Sequence, residues 1–302
     1  MARLLFVHAH PDDETIASGV ALAHHVAAGD EVRVLTCTLG EEGEVIPADL
    51  AHLEGAEGDP LGIWRREELR TAMRRLGVAH DLLGADEDAG VLSRYRDSGM
   101  VGMPSAHHPR AFAAADVAEA AGLVAAYLER VRPDVVVTYD EHGGYGHPDH
   151  IQTRRVTLAA LERLPAPARP AHVFEILTPR SWAQEDRAWL REHVSDPALT
   201  IPGEDDPFAP SVVPDEHVTH VVVDPSVVRR QAHALQAHAT QVKVGDGYFA
   251  LSNHIAARLG GREGFRRLEP GTDVASRSGG AGPDGRPGTA GPGWHPANGL
   301  LA

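Results

Sequence analysis

The stretch Arg3-Leu4-Leu5-Phe6-Val7-His8-Ala9-His10-Pro11-Asp12-Asp13-Glu14 decides the fold class. Leu4 to Val7 form a short continuous apolar run, the pattern of a strand buried on both faces of a parallel sheet. From Glu14 onward Ile16, Val20, Ala23 and Ala27 recur at helical spacing, and Gly29 stands as a C-terminal stop. The polar group His10-Pro11-Asp12-Asp13-Glu14 therefore falls where strand becomes helix. In an open α/β sheet that position is the carboxyl edge, where ligands bind, and a helix N-terminus favours acidic groups there. No Gly-x-Gly-x-x-Gly follows the strand, so a dinucleotide phosphate has no cradle. Histidine and aspartate in its place suit a hard or borderline cation.

Working outward, Glu31 to Thr38 reads as a second strand and completes a βαβ unit with a right-handed crossover. Cys37 lies there without a neighbouring base and reads as a buried structural thiol. The loop Gly40-Glu41-Glu42-Gly43-Glu44 follows on the ligand edge, its charges either solvated or turned to polar substrate groups. A helix is expected from about Leu61 to Leu76, ending at Gly77, then a short strand from Ala79 to Leu83. Residues 84–115 are long for a connection without regular structure, which predicts a wall or lid. His107-His108 within it reads as solvent-exposed. Asp116 to Val131 is the clearest helix, with Asp116 and Glu119 resembling a capping box.

Asp134 to Tyr139 is then a buried strand, and a second polar cluster follows it: Gly143-Gly144-Tyr145-Gly146-His147-Pro148-Asp149-His150. A helix begins near Pro148, so both clusters occupy strand-to-helix positions that parallel strands bring to one edge of the sheet. Beyond Pro165 the pattern weakens. His172 to Leu177 and His217 to Val223 read as strands, and Ser226 to about Val242 as a helix with His233 and His238 on its surface. Gly, Pro, Ser and Ala then dominate without a hydrophobic period. The expected organisation is one catalytic domain over residues 1–260 and a disordered tail over 261–302.

The chain has 302 residues, 42% of them hydrophobic, enough for a sizeable α/β core. Its net charge of −15 and the lack of any basic block argue against nucleic acid and anionic membranes as partners. One cysteine, no secretory pattern and no long apolar segment point to a cytoplasmic protein. Whether it is a monomer or a homo-oligomer is left open.

A catalytic zinc takes three protein ligands and keeps a fourth place for water. His10, Asp13 and His150 meet that count, although spacing alone permits His147 in place of His150. Asp12 is then free to act as general base on water, His147 to protonate a leaving amine or stabilise a tetrahedral intermediate, and Tyr145 to donate to the oxyanion. Asp149 is placed to orient His147. An acidic turn at a helix start is ordinarily a cap; two such clusters at matched positions are a site. Together these roles describe metal-assisted amide hydrolysis.

These residues resemble the signature of the LmbE-like, or PIG-L, family of zinc-dependent de-N-acetylases of amino sugars. Thr38-Leu39-Gly40-Glu41-Glu42-Gly43-Glu44-Val45-Ile46, Arg96-Asp97-Ser98-Gly99-Met100 and Gly143-Gly144-Tyr145 resemble its mycothiol-biosynthesis branch, whose members deacetylate N-acetylglucosaminyl-inositol. The resemblance implies an open, mostly parallel sheet flanked by helices. It also implies zinc on His10, Asp13 and His150, Asp12 as base, and His147 and Tyr145 as helpers. Arg65 and Asp97 would contact a small, neutral amino-sugar inositol. Iron(II) fits the same donor set. Related mycothiol S-conjugate amidases carry a lysine where this chain reads Thr15-Ile16-Ala17-Ser18, which favours the deacetylase. A de-N-acetylase of another amino sugar is the broader rival, and the complete set of base and ligands argues against a silent binding protein.

Overall fold

The computed structural model describes residues 1–86, 88–269 and 294–302. β1 (Arg3–His8), α1 (Asp13–Ala27) and β2 (Glu31–Thr36) form the βαβ unit that the apolar run predicts. α2 (Pro60–Leu76) ends at Gly77, whose φ of 71° makes a left-handed C-cap before β3 (Ala79–Leu82). α3 (Val117–Val131) starts at Asp116, whose carboxylate accepts the Glu119 N–H at 2.8 Å. After β4 (Val135–Tyr139) a kinked turn, α4 (Gly143–Gly146), leads into α5 (Pro148–Arg163). β5 (His172–Pro179), α6 (Arg180–His193), β6 (Val212–Val213), β7 (His220–Val223) and α7 (Val228–Leu235) follow. The last elements are β8 (Lys243–Val244), β9 (Tyr248–Ala250), β10 (Ala256–Arg258), β11 (Arg262–Arg267) and β12 (Ala297–Asn298).

The main sheet runs β12-β7-β11-β5-β4-β1-β2-β3, with β6 beside β5, and β8 to β10 make a separate small sheet. β3, β2, β1, β4 and β5 are parallel to one another, and β11 is antiparallel to both β5 and β7. Successive residues of β1 feed opposite cores. Leu4 and Phe6 pack with Val20, Leu69 and Met73 of α1 and α2, while Leu5 and Val7 pack with Val124, Leu128 and Val156 of α3 and α5. Burial on both faces is why the run is continuously apolar. Strand order reverses between β1 and β4, which pair in register from Leu4↔Val135 to Phe6↔Val137. Ligands bind α/β sheets in the crevice outside such a reversal.

The sheet with helices on both faces is the expected fold class. Residues 88–115 are tied down by bridges between Asp86 and Val91 and between Arg96 and Ala111, with Phe112 fully buried and Asp97 beside His10. No described helix is long and apolar enough to cross a membrane.

Three expectations need correction. The folded part does not stop at residue 260: β11 lies inside the main sheet, and Trp294 donates to the Val218 carbonyl at 3.0 Å. The short antiparallel strand, half polar and glycine-broken, hides behind its composition. The rest of the expected tail, 270–293, lies outside the described residues. The helix expected to Val242 ends at Leu235, because Glu68 captures Thr240 through both its N–H (2.9 Å) and its hydroxyl (2.7 Å). His238 is fully buried rather than on the surface, whereas His233 is exposed.

β11 also ties the sheet to α1, since the Glu263 carboxylate accepts the Val20 and Ala21 N–H groups at 2.8 and 2.9 Å. Phe265 is fully buried against Phe174. Phe265→Ala should cost about 3–5 kcal/mol in urea unfolding, as a large core truncation does. A chain ended at residue 260 should not fold; equal stability of either variant to the parent would place β11 outside the cooperative unit.

Candidate active site

At the end of β1 the chain turns through Asp12, a non-glycine residue at φ 112°. Such backbone costs on the order of 1–3 kcal/mol and persists only where its surroundings over-determine it. They do so here. The Asp12 N–H donates to Glu14 Oε2 at 3.0 Å, and the Asp12 carbonyl accepts the first N–H groups of α1, from Thr15 and Ile16. From α2, Arg65 donates to the Pro11 carbonyl (2.6 Å), to Asp12 Oδ2 (3.0 Å) and to the Gly40 carbonyl (2.6 Å). Gly40, at φ 67°, must be glycine: a Cβ there would lie 2.0 Å from the guanidinium. Burial raises the Asp12 carboxyl to about 6 against the opposing pull of Arg65.

Beside it three donor atoms converge. His10 Nδ1 and His150 Nε2 are 3.2 and 3.3 Å from Asp13 Oδ2 and 3.2 Å from each other. A triangle of that size has its centre about 1.9 Å from each corner, so the three atoms are spaced to hold one cation at roughly the 2.0–2.2 Å of zinc–ligand bonds. The supporting partners fix the correct lone pairs. His150 Nδ1 lies 3.1 Å from the Gly143 carbonyl, and His10 Nε2 lies 3.3 Å from Asp149 and 3.4 Å from Asp97, leaving the opposite nitrogens free to ligate. Tyr139 donates to Asp13 Oδ2 at 2.7 Å and accepts the Ala9 N–H at 2.9 Å. Burial alone would lower the His10 pKa and raise that of Asp13. The neighbouring carboxylates instead hold His10 well above its ordinary value, and His150 with His10 hold Asp13 well below its own. The pocket thus favours positive charge, and a divalent cation competes with a proton for it.

His147 stands next to this triangle, its ring centroid 4.6 Å from that of His10 and 4.9 Å from that of His150. It is also the N-cap of α5: Nδ1 accepts the Asp149 N–H at 3.2 Å, which leaves the hydrogen on Nε2. Burial, with His10 and His150 nearby, lowers it to about 3, so the ring is neutral. Tyr145 is half exposed at the rim, edge-on to His150 at 5.2 Å. A cavity of about 320 Å³ opens beside Asp13, Tyr145 and His150 and is walled by Ile176, Trp182 and Arg258.

The structure brings His10, Asp12, Asp13, His147, Asp149 and His150 together and turns Asp149 away from its expected contact. The Asp149 carboxylate does not orient His147. It accepts the Ser98 N–H at 2.8 Å and faces His10, because the His147 ring is turned back onto its own helix. Arg65 and Asp97, expected to meet substrate, are 3% and 4% exposed. Arg65 spends its Nη atoms on the Asp12 turn, and Asp97 accepts the Glu42 and Gly99 N–H groups beside His10. Glu41 is likewise neither solvated nor turned to a ligand, since it accepts the Asp97 N–H at 2.9 Å.

Comparison with known proteins follows this geometry. The PIG-L family, described as GlcNAc-PI de-N-acetylase, matches residues 5–161, from β1 through α5. The chain belongs to the PIG-L family. It is 46% identical over 284 residues to a Geodermatophilus obscurus protein, covering 89% of this chain and 94% of that one. With a Thermobifida fusca protein it shares 45% over 273 residues, covering 88% and 92%. Both are named 1D-myo-inositol 2-acetamido-2-deoxy-alpha-D-glucopyranoside deacetylase. The fold is shared with GalB, the 4-carboxy-2-hydroxymuconate hydratase of Pseudomonas putida KT2440, at a TM-score of 0.52 and 16% identity over 89% of this chain and 97% of that one.

Within this family frame, sequence reasoning missed Tyr139, Ser98 and Glu14. Tyr139 carried a signal, since it ends β4 at the ligand edge; Ser98 acts through its backbone and carried none. Tyr139→Phe should weaken zinc binding about 10- to 100-fold in a chelator competition, as loss of a ligand's supporting hydrogen bond does. Gly143→Ala should do at least as much, because the new Cβ would lie 2.6 Å from His150 Cβ and 2.8 Å from the Ile151 nitrogen. Unchanged affinity in both would remove these residues from the metal centre.

Proposed function

We propose that the chain is a zinc-dependent hydrolase that removes the N-acetyl group from N-acetylglucosaminyl-inositol, giving glucosaminyl-inositol and acetate in mycothiol biosynthesis. The observation that carries the substrate is the 45–46% identity, over nearly the full length of both chains, to relatives named for that reaction. The chemistry rests on the site itself. His10 Nδ1, Asp13 Oδ2 and His150 Nε2 would hold the cation, and two histidines with one carboxylate form the three-ligand set of a catalytic zinc. When bound there, zinc supplies Lewis acidity to the amide carbonyl and to the attacking water.

The remaining steps belong to side chains. Asp12, held by Arg65, takes a proton from the attacking water and returns it to the departing amine nitrogen as the C–N bond breaks, so that amide and water become amine and acetate. His147 donates through Nε2–H, and Tyr145 through its hydroxyl, to the oxygen that becomes negative in the tetrahedral intermediate. Asp97 and Asp149 steady His10, and Arg65 steadies Asp12. The catalytic unit runs through β11, and a chain with one buried cysteine suits the cytoplasm.

Amine release should be measured on N-acetylglucosaminyl-inositol, a mycothiol S-conjugate and N-acetylglucosamine, with and without zinc. Zinc-dependent turnover should be fastest on the first. Preference for the conjugate would make the protein an amidase, and indifference to zinc would sink the metal assignment. Asp12→Asn should bind zinc within about threefold of the parent while kcat falls about 10²- to 10⁴-fold, the range for loss of a general base.

A further inference from the structure

Glu14 and His238 are both fully buried and meet at 3.1 Å, between Glu14 Oε1 and His238 Nε2, across 224 residues of sequence. The other oxygen, Glu14 Oε2, accepts the N–H of Asp12, the residue held at φ 112°. Glu14 is thus the link between the Asp12 turn and a histidine in the C-terminal part of the chain. That segment is docked firmly. Thr240 is held by Glu68, the Ile46 N–H donates to the Thr240 carbonyl at 2.9 Å, and Gln231 donates to the Thr15 carbonyl at 3.0 Å while filling the space left by Gly19.

A buried ion pair is a poor device for stability alone, since apolar residues of similar volume do as well or better. This one sits a single hydrogen bond from the backbone of the base. Resting on the reading of Asp12 as general base, we propose that His238 is a positioning residue: through Glu14 it keeps the Asp12 turn in its left-handed conformation and so aims the Asp12 carboxylate at the attacking water. Without an N–H at Nε2, Glu14 Oε1 keeps only the Thr15 hydroxyl, at 2.6 Å, and the carboxylate, buried and one partner fewer, releases the Asp12 N–H so that the turn relaxes. His238 touches neither ligand nor reacting atom, so its loss changes the rate and not the binding of metal or substrate.

Two substitutions separate this role from general support. Glutamine places an amide N–H near the position of Nε2, and asparagine places one near Nδ1, short of Glu14. His238→Asn should lower kcat about 10- to 100-fold, the cost of a misplaced catalytic group, with KM and zinc affinity within about twofold of the parent. His238→Gln should restore most of the rate. In an Asp12→Asn background His238→Asn should cost no more than about twofold, because residues acting through one another are non-additive.

The crystal structure of His238→Asn gives a readout independent of turnover: Asp12 should leave positive φ or lose its contact with Arg65. An unchanged turn, equal rates for the two variants, or an undiminished His238→Asn penalty in the Asp12→Asn background would each overturn the proposal. Should N-acetylglucosaminyl-inositol fail as a substrate while another acetamido sugar is cleaved, the substrate reading falls and the variant ratios still decide the role of His238. If nothing is cleaved, the Asp12 backbone in the variant structure decides it.

Discussion

The parallel pairing of β1 with β4 is the constraint on which the site depends. It brings His10, Asp12 and Asp13 to within contact of His147 and His150 although more than a hundred residues separate them, because the register sets the two strand ends side by side. A sheet covered by helices on both faces leaves room along its strands only for charge that is paired, as Glu175 of β5 is with Arg154 and Arg266, and most polar residues gather at its edge. These side chains gather at the carboxyl edge rather than the other because the N-termini of α1 and α5 also face it. Asp13 opens α1 and Asp149 lies in the first turn of α5, where unpaired N–H groups and the helix dipole favour carboxylates.

Adjacent carboxylates then acquire opposite characters from their surroundings. Asp12 and Asp13 follow each other in sequence and are both buried. Asp13 lies against His10, His150 and the Tyr139 hydroxyl, which stabilise its charge; Asp12 has one guanidinium and more desolvation than that can offset. One is held ionised, and the other is poised nearer neutrality. Environments that push neighbouring titratable groups apart in this way are how a fold divides acid, base and ligand roles among similar side chains.

The parts legible in the sequence were those that depend on local periodicity. The run from Leu4 to Val7, the helix ending at Gly77 and the Asp116 cap follow from rules of spacing and capping, and they reappear in place. The cluster of His10, Asp13 and His150 was legible because each stands at a strand-to-helix junction. What was not legible depends on directions across the sheet. Asp149 looked like a partner for His147 because the two are neighbours in sequence, yet the N-cap geometry of His147 sends the two side chains apart. Arg65 and Asp97 were read as arms for a substrate, and only the fold reveals that Arg65 also holds the Asp12 turn and that Asp97 lies beside His10.

The second half of the chain follows the same logic at longer range. There β11 is half polar and runs against its neighbours, and α7 stops after eight residues, so little hydrophobic period survives to announce how they pack. Their contribution comes through single polar contacts onto the first half. Glu263 grips α1 at Val20 and Ala21, Gln231 takes the Thr15 carbonyl, and His238 takes Glu14. Glu263 and Gln231 therefore hold the helix on which Asp13 stands, while His238 bears on the Asp12 turn through Glu14. For that reason the composition of this half carries almost no sign of chemistry, although the geometry of the site is set partly there.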